Sequence, residues 1–73
     1  MTVGDELRAV REAAGLSQEE LAEKAKLHRT YVNMVERGKK NPTLEVFFRI
    51  CDALNILPSK MLARIEKRAG RSK

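Results

Sequence analysis

Residues 15–38 read GLSQEELAEKAKLHRTYVNMVERG, and this stretch decides how the chain folds. Ser17 is followed three residues later by Glu20, which is the capping-box pattern. In such a box the hydroxyl and the carboxylate satisfy backbone N–H groups at the start of a helix. A short helix is therefore predicted from Gln18 to Ala25, where the apolar pattern changes phase.

A second short helix is predicted over residues 29–37, because Val32 and Val35 face one side at helical spacing and Gly38 can form a left-handed C-terminal cap. Two short helices joined by about three residues can splay at a wide angle when small residues occur where they touch. Ala22 is such a residue. A helix-turn-helix of this kind can place its second helix in the major groove of DNA.

The flanking sequence predicts three further helices. Apolar residues recur at helical spacing from Val3 until Gly15, which ends the first helix. Thr43 can cap a fourth helix, and Pro58 or Ser59 begins a fifth. The sequence therefore predicts an all-α fold of five helices, in which the second and third form the helix-turn-helix.

The composition of the chain indicates its domain organisation and excludes several kinds of site. A hydrophobic content of 42% is too high for a disordered chain, so we expect one domain over residues 1–67, followed by a disordered basic tail over residues 68–73. One cysteine, Cys51, and one histidine give neither an internal disulfide nor a metal site, so no metal or cofactor is expected. No apolar run approaches the roughly 20 residues of a membrane span, and no signal-peptide pattern opens the chain. We therefore expect a cytoplasmic protein without membrane contact.

Basic and acidic residues are segregated along the sequence. Residues 24–40 carry six basic groups against one acidic group, and residues 60–73 carry the same numbers. Such segregation creates a positive field that attracts phosphate, although a solvated charged surface gives the same composition. An aromatic content of 4% disfavours binding of single strands by base stacking, so a duplex is the better partner.

Two separated runs carry a resemblance to a known family. Residues 15–22, GLSQEELA, and residues 35–44, VERGKKNPTL, resemble the lambda Cro and phage-repressor (XRE) helix-turn-helix family, and the likeness extends over residues 5–57. Within that family, residues 27–32, LHRTYV, are most similar to the restriction-modification controller proteins. The resemblance implies a lambda-repressor-like domain and a transcriptional regulator of controller or repressor type. Such a regulator binds double-stranded DNA as a homodimer on a palindromic operator, with RNA polymerase as a further candidate partner.

The resemblance also assigns roles to positions. At the start of the recognition helix and one turn later, it implies contacts to base edges by His28, Arg29, Thr30, Tyr31 and Met34. It implies contacts to phosphates by Ser17, Gln18, Asn33, Arg37, Lys39, Lys40 and Asn41. Arg29 is the strongest candidate reader, because a guanidinium can bond guanine O6 and N7 together.

Several of these positions have a structural alternative. His28 can be a turn residue, Tyr31 can pack against the domain, and Met34 can cover the core. The resemblance further implies a structural ion pair between Arg11 and Glu36. The family often has glycine at the turn position held here by Lys26, which would then need a positive φ or a different turn.

The apolar residues of the last two helices exceed what one small core requires. They predict a dimer interface formed by Val46, Phe48, Ile56, Leu57 and Met61. The alternative is that the fifth helix folds back and covers these side chains within one chain. A rival for the whole molecule is a helix-turn-helix protein-interaction module, antitoxin-like or coactivator-like, with incidental DNA affinity. An enzyme is not expected, because the sequence offers no converging nucleophile and acid-base groups.

Overall fold

The computed structural model describes residues 2–70 and contains only α-helices as regular elements in that range. The helices are α1 (Thr2–Ala13), α2 (Gln18–Ala25), α3 (Arg29–Glu36), α4 (Leu44–Ala53) and α5 (Pro58–Arg68). The predicted all-α, five-helix architecture is confirmed. Helix α3 ends one residue earlier than predicted, because Arg37 adopts a capping conformation before Gly38 turns the chain at φ 76°.

The helix starts follow the predicted caps. The Ser17 hydroxyl accepts a hydrogen bond from the Glu20 backbone N–H at 3.0 Å, and the Glu20 carboxylate accepts one from the Ser17 N–H at 2.8 Å. The Thr43 hydroxyl accepts a hydrogen bond from the Val46 N–H at 3.2 Å. Pro58 occupies the first turn of α5, where its missing N–H leaves no hydrogen bond unmade. Local chemistry therefore sets where these helices begin.

The turn between α2 and α3 is built without glycine. Lys26 caps α2 in the left-handed conformation, with φ 59° and ψ 48°. Arg49 of α4 reaches this turn and donates hydrogen bonds to the carbonyl oxygen of Ala25 at 2.9 and 3.1 Å and to that of Lys26 at 2.6 Å. A positive charge at the C-terminal end of α2 also complements the helix dipole.

A single core joins all five helices. The buried apolar side chains are Leu7, Leu21, Ala22, Ala25, Val32, Val35, Phe47, Ile50, Cys51, Leu54 and Met61. Burial raises the pKa of the Cys51 thiol to about 11, so this residue is a small apolar group of the core rather than a reactive thiolate.

Two sequence predictions are corrected here. Met61 was placed in the dimer interface, but it is 0% exposed and belongs to the core, because the first turns of α5 lie over α4. The disordered tail was expected to begin at residue 68, but Arg68 is the last residue of α5 and its Nε donates a 2.6 Å hydrogen bond to Glu6. Residues 71–73 of that tail lie outside the described residues.

Helix α1 connects α5 to the end of α3. The buried Glu6 carboxylate accepts hydrogen bonds from Arg64 and Arg68 of α5, each at 2.6 Å. Near it, Gly4 lies so close to α3 that a methyl group there would overlap the carbonyl oxygens of Val35 and Glu36. A glycine is thus required at this crossing, and α1 fixes the C-terminal end of α3.

Candidate nucleic-acid interface

The start of α3 presents polar side chains to solvent. His28 is the N-cap residue of α3 and makes no capping hydrogen bond through its side chain. His28, Arg29 and Thr30 are all exposed. By helical spacing Arg29, Asn33 and the C-cap residue Arg37 lie along one side of α3, which is separate from the side that carries the buried Val32 and Val35. The outer face of α3 is therefore polar and basic.

The other two predicted base contacts are less exposed. Tyr31 is half-buried and packs against the hydrophobic core, which agrees with the structural alternative for this residue. Met34 is half-buried as well, one turn after Thr30. Both side chains border the exposed face of α3 rather than projecting fully from it.

The loop after α3 holds two lysines at the surface. The backbone N–H groups of Lys39 and Lys40 donate to the Met34 carbonyl oxygen at 2.8 and 3.3 Å, and the Gly38 N–H donates to that of Val35 at 3.1 Å. The side chains of Lys39, Lys40 and Asn41 are exposed. Because the backbone is tied to the end of α3, these side chains extend the basic surface beyond the helix.

The N-terminus of α2 lies beside α3. The N–H groups of Gln18 and Glu19 occupy the first turn, where an α-helix offers no intrahelical partner and the helix dipole favours an anion. Glu20 turns back onto the Ser17 N–H, so its charge is engaged in the cap. Backbone N–H groups at this position form a suitable phosphate site.

A buried polar network ties these elements together. The Arg11 guanidinium bonds the Glu36 carboxylate through Nε at 2.7 Å and Nη2 at 3.0 Å, and Nη1 donates to the Leu16 carbonyl oxygen at 2.7 Å. The ion pair implied by the family resemblance is thus present. Its hydrogen bond raises the pKa of Arg11 above the ordinary value, against the opposing effect of burial. Gln18 and Asn33 join the same network, a connection that sequence patterns did not indicate.

The predicted dimer residues divide into three groups. Phe48 is 45% exposed and Leu57 is 62% exposed, whereas Val46 and Ile56 are half-buried and pack against the core. Met61 is the fully buried member described above. Phe48 of α4 and Leu57 at the start of α5 therefore remain as exposed apolar side chains.

Within residues 2–70 there is no group of three or more His, Cys, Asp or Glu side chains placed to hold a metal ion. No helix in this part of the chain is both long enough and apolar enough to cross a membrane.

Comparisons with known proteins agree with this geometry. Residues 7–61 match the family model described as helix-turn-helix. The control protein C.SmaI of Serratia marcescens is 42% identical over 62 residues, which are 85% of this chain and 74% of that protein. The restriction-modification controller protein C.AhdI from Aeromonas hydrophila superimposes with a TM-score of 0.80 at 43% identity, over 82% of this chain and 91% of that chain. A structure of C.Esp1396I bound to a 19 base pair DNA duplex superimposes with a TM-score of 0.87 at 28% identity, over 93% of this chain and 91% of that chain.

Proposed function

Because this chain belongs to the helix-turn-helix family, we propose that it is a DNA-binding transcriptional regulator of controller or repressor type, which recognises specific duplex sequences as a homodimer. Its relatives include control proteins, and a structure similar to it over nearly all of its length is bound to a DNA duplex. The protein acts by binding DNA and not as an enzyme. It works in the cytoplasm, where a regulator reaches DNA, and RNA polymerase is a further partner.

The observation that carries the proposal is the outer face of α3. Its core-facing residues are buried, its outward residues are polar, and its C-terminal end is fixed by the Arg11–Glu36 ion pair. A rigid helix with exposed donors is what reading of base edges requires. The proposed base contacts are His28, Arg29, Thr30, Tyr31 and Met34, with Arg29 as the principal reader.

The surrounding groups hold the phosphate backbone. The proposed contacts are the N-terminus of α2 at Ser17 and Gln18, together with Arg37, Lys39, Lys40 and Asn41. Such contacts set the register of the helix on the duplex and carry no sequence information themselves. Asn33 lies on this surface and is half-buried.

A homodimer follows from the short reading surface. One recognition helix contacts only a few base pairs, whereas two copies related by a twofold axis read two half-sites of a palindrome. The exposed Phe48 and Leu57, flanked by Val46 and Ile56, supply the apolar surface for this association.

In vitro selection from a random duplex library at about 150 mM salt tests the proposal, since non-specific binding is weak at this ionic strength. Wild type is run beside Arg29→Ala, with Arg8→Ala as a control that removes an exposed arginine of α1. We expect wild type and the control to select a palindrome of two half-sites. Arg29→Ala should select the same palindrome with a weaker base preference at one position of each half-site. A chain that enriches no sequence would instead be a protein-interaction module.

A further inference from the structure

The side chains of Gln18 and Asn33 form a link between α2 and α3, which we name the amide bridge. Asn33 Nδ2 donates to Gln18 Oε1 at 3.3 Å, and Gln18 Nε2 donates to Glu36 Oε1 at 3.0 Å. Both residues are half-buried. The bridge therefore joins the N-terminal turn of α2 to the middle and the end of α3.

Glu36 gives the amide bridge a rigid anchor. Its side chain is 3% exposed and also accepts two hydrogen bonds from Arg11, which in turn holds the Leu16 carbonyl oxygen just before α2. One carboxylate thus receives donors from α1 and α2 while it belongs to α3. Separating the three helices here would leave the buried Glu36 carboxylate without its hydrogen-bond donors, which is unfavourable. The contact between α1, α2 and α3 at Glu36 is therefore held together.

The junction also fixes the orientation of the Gln18 amide. A reversed amide would bring Oε1 against the Glu36 carboxylate, where two acceptors repel, and would bring Nε2 against the donor of Asn33. Both polar atoms of the Gln18 side chain are consequently engaged inside the protein. What Gln18 offers to a phosphate is its backbone N–H at the start of α2.

We infer that Gln18 and Asn33 are positioning residues, which determine sequence specificity by fixing the phosphate-binding N-terminus of α2 relative to the base-reading face of α3. The inference rests on the proposed function and assigns new roles to two residues of its site. Asn33 lies between Arg29 and Arg37 on that face, and its amide nitrogen is turned toward α2. When the bridge is cut, α2 still meets phosphates, but Arg29 is held less firmly over its base.

Direct phosphate contacts and positioning residues predict different binding data. A phosphate contact weakens binding to all sequences by a similar factor. A positioning residue weakens binding to the operator more than binding to unrelated duplex. Because both hydrogen bonds of the bridge involve Gln18, the double variant should bind the operator no more weakly than Gln18→Ala does, whereas the affinity losses of two independent contacts multiply.

The test measures the affinity of Gln18→Ala, Asn33→Ala and the double variant for the selected operator and for an unrelated duplex. Asn41→Ala is the matched control, because it removes an exposed amide from the phosphate-binding loop. We expect each bridge variant to lose about five- to tenfold in operator affinity, as for one hydrogen bond, and less than about twofold on unrelated duplex. The double variant should match Gln18→Ala, because that substitution alone removes both hydrogen bonds of the bridge. Asn33→Ala should keep the melting temperature near that of wild type, since Gln18 retains its hydrogen bond to Glu36, and Asn41→Ala should weaken both duplexes alike.

Hydrogen exchange of side-chain amides in the wild-type protein gives a second readout that does not depend on folding of the variants. The NH2 groups of Gln18 and Asn33 should exchange more slowly than that of Asn41. Equal exchange rates, multiplicative losses or uniform losses on both duplexes would overturn the inference. A wild-type chain with no preferred sequence would overturn the proposed function itself, which keeps the two failures distinct.

Discussion

The Arg49 guanidinium on α4 donates a 2.6 Å hydrogen bond to the carbonyl oxygen of Lys26, the left-handed residue at the turn of the helix-turn-helix. A second partner, the carbonyl oxygen of Ala25, lies at the end of α2. A residue with a Cβ atom is disfavoured in the left-handed region, by about 1–2 kcal/mol. The hydrogen bonds from Arg49 offset part of that penalty and hold the backbone of the turn in this conformation.

Lys26→Gly should therefore stabilise the domain. Glycine adopts the left-handed conformation without steric penalty but loses more backbone entropy on folding, so we expect a net gain of about 0.5–1 kcal/mol in the free energy of unfolding. Urea denaturation measures the change. Lys24→Gly is the matched control inside α2, where the same substitution should destabilise by about 1 kcal/mol. A destabilised Lys26→Gly would mean that the lysine side chain, rather than the backbone conformation, matters at the turn.

The contrast between Ser17 and Arg49 explains how much of this molecule its sequence predicts. The Ser17 cap joins residues three apart, so a local pattern predicted the start of α2, and hydrophobic spacing predicted the other helices. Arg49 bonds a turn 23 and 24 residues away, and Arg64 bonds Glu6 across 58 residues. Such contacts depend on how the helices pack against one another, and a short-range sequence pattern does not indicate this packing. Met61 was misplaced for the same reason, because spacing alone does not tell which neighbour covers an apolar face.

Gly4→Ala should destabilise the domain although alanine favours a helix. The added methyl group overlaps backbone oxygens of Val35 and Glu36, which cannot rotate away, so α1 must move from the end of α3. We expect a loss of about 1–3 kcal/mol in the free energy of unfolding, the range for overpacked cores. The exposed Glu12→Ala on the same helix is the control and should stay within about 0.5 kcal/mol of wild type. An unchanged Gly4→Ala would show that the crossing has room to relax.

Acid should weaken the contact between α1 and α5. The hydrogen bond from Arg68, assisted by Arg64, holds the pKa of Glu6 below its ordinary value, although burial opposes the shift. The folded state therefore binds the proton less readily than the unfolded state, and the ion pairs stabilise fully above the unfolded pKa of roughly 4.3. That contribution is lost as the pH falls through the lower, folded pKa.

Urea unfolding of Glu6→Gln and wild type at pH 7 and at pH 3 tests whether the stabilising effect of Glu6 decreases in acid. The variant should be less stable than wild type at pH 7, and the difference should be smaller at pH 3, because below the unfolded pKa the carboxyl of the unfolded wild-type chain takes up a proton and this favours unfolding. Glu45→Gln is the control, since this exposed residue lies in the first turn of α4. A difference that stays constant between the two pH values would place the effect in packing rather than in charge.

Removal of one partner from the Arg11–Glu36 pair should unfold much of the protein. Arg11→Met leaves the Glu36 carboxylate buried with Gln18 as its remaining side-chain donor, and breaking such pairs costs about 3–5 kcal/mol. Circular dichroism should show a lowered melting temperature and partial loss of helix at 25 °C. Arg8→Met is the control, because Arg8 pairs with Glu12 at the surface and exposed pairs contribute about 0–1 kcal/mol. Equal melting temperatures for the two variants would contradict a structural role of the buried pair.

Charge placed on the α4 and α5 end of the domain should separate the homodimer without unfolding the subunits. Phe48→Glu and Leu57→Glu alter side chains that are 45% and 62% exposed, so the core stays intact while the apolar interface gains a carboxylate that association would bury. Sedimentation equilibrium should show a dimer for wild type and a monomer for both variants. Leu62→Glu is the comparison variant, because this α5 residue is 49% exposed, lines an apolar groove with Val3 and Leu44 and was not predicted to belong to the interface. A dimer that survives the first two substitutions but not the third would move the interface to that second apolar surface, and the spacing of the two recognition helices on DNA would change with it.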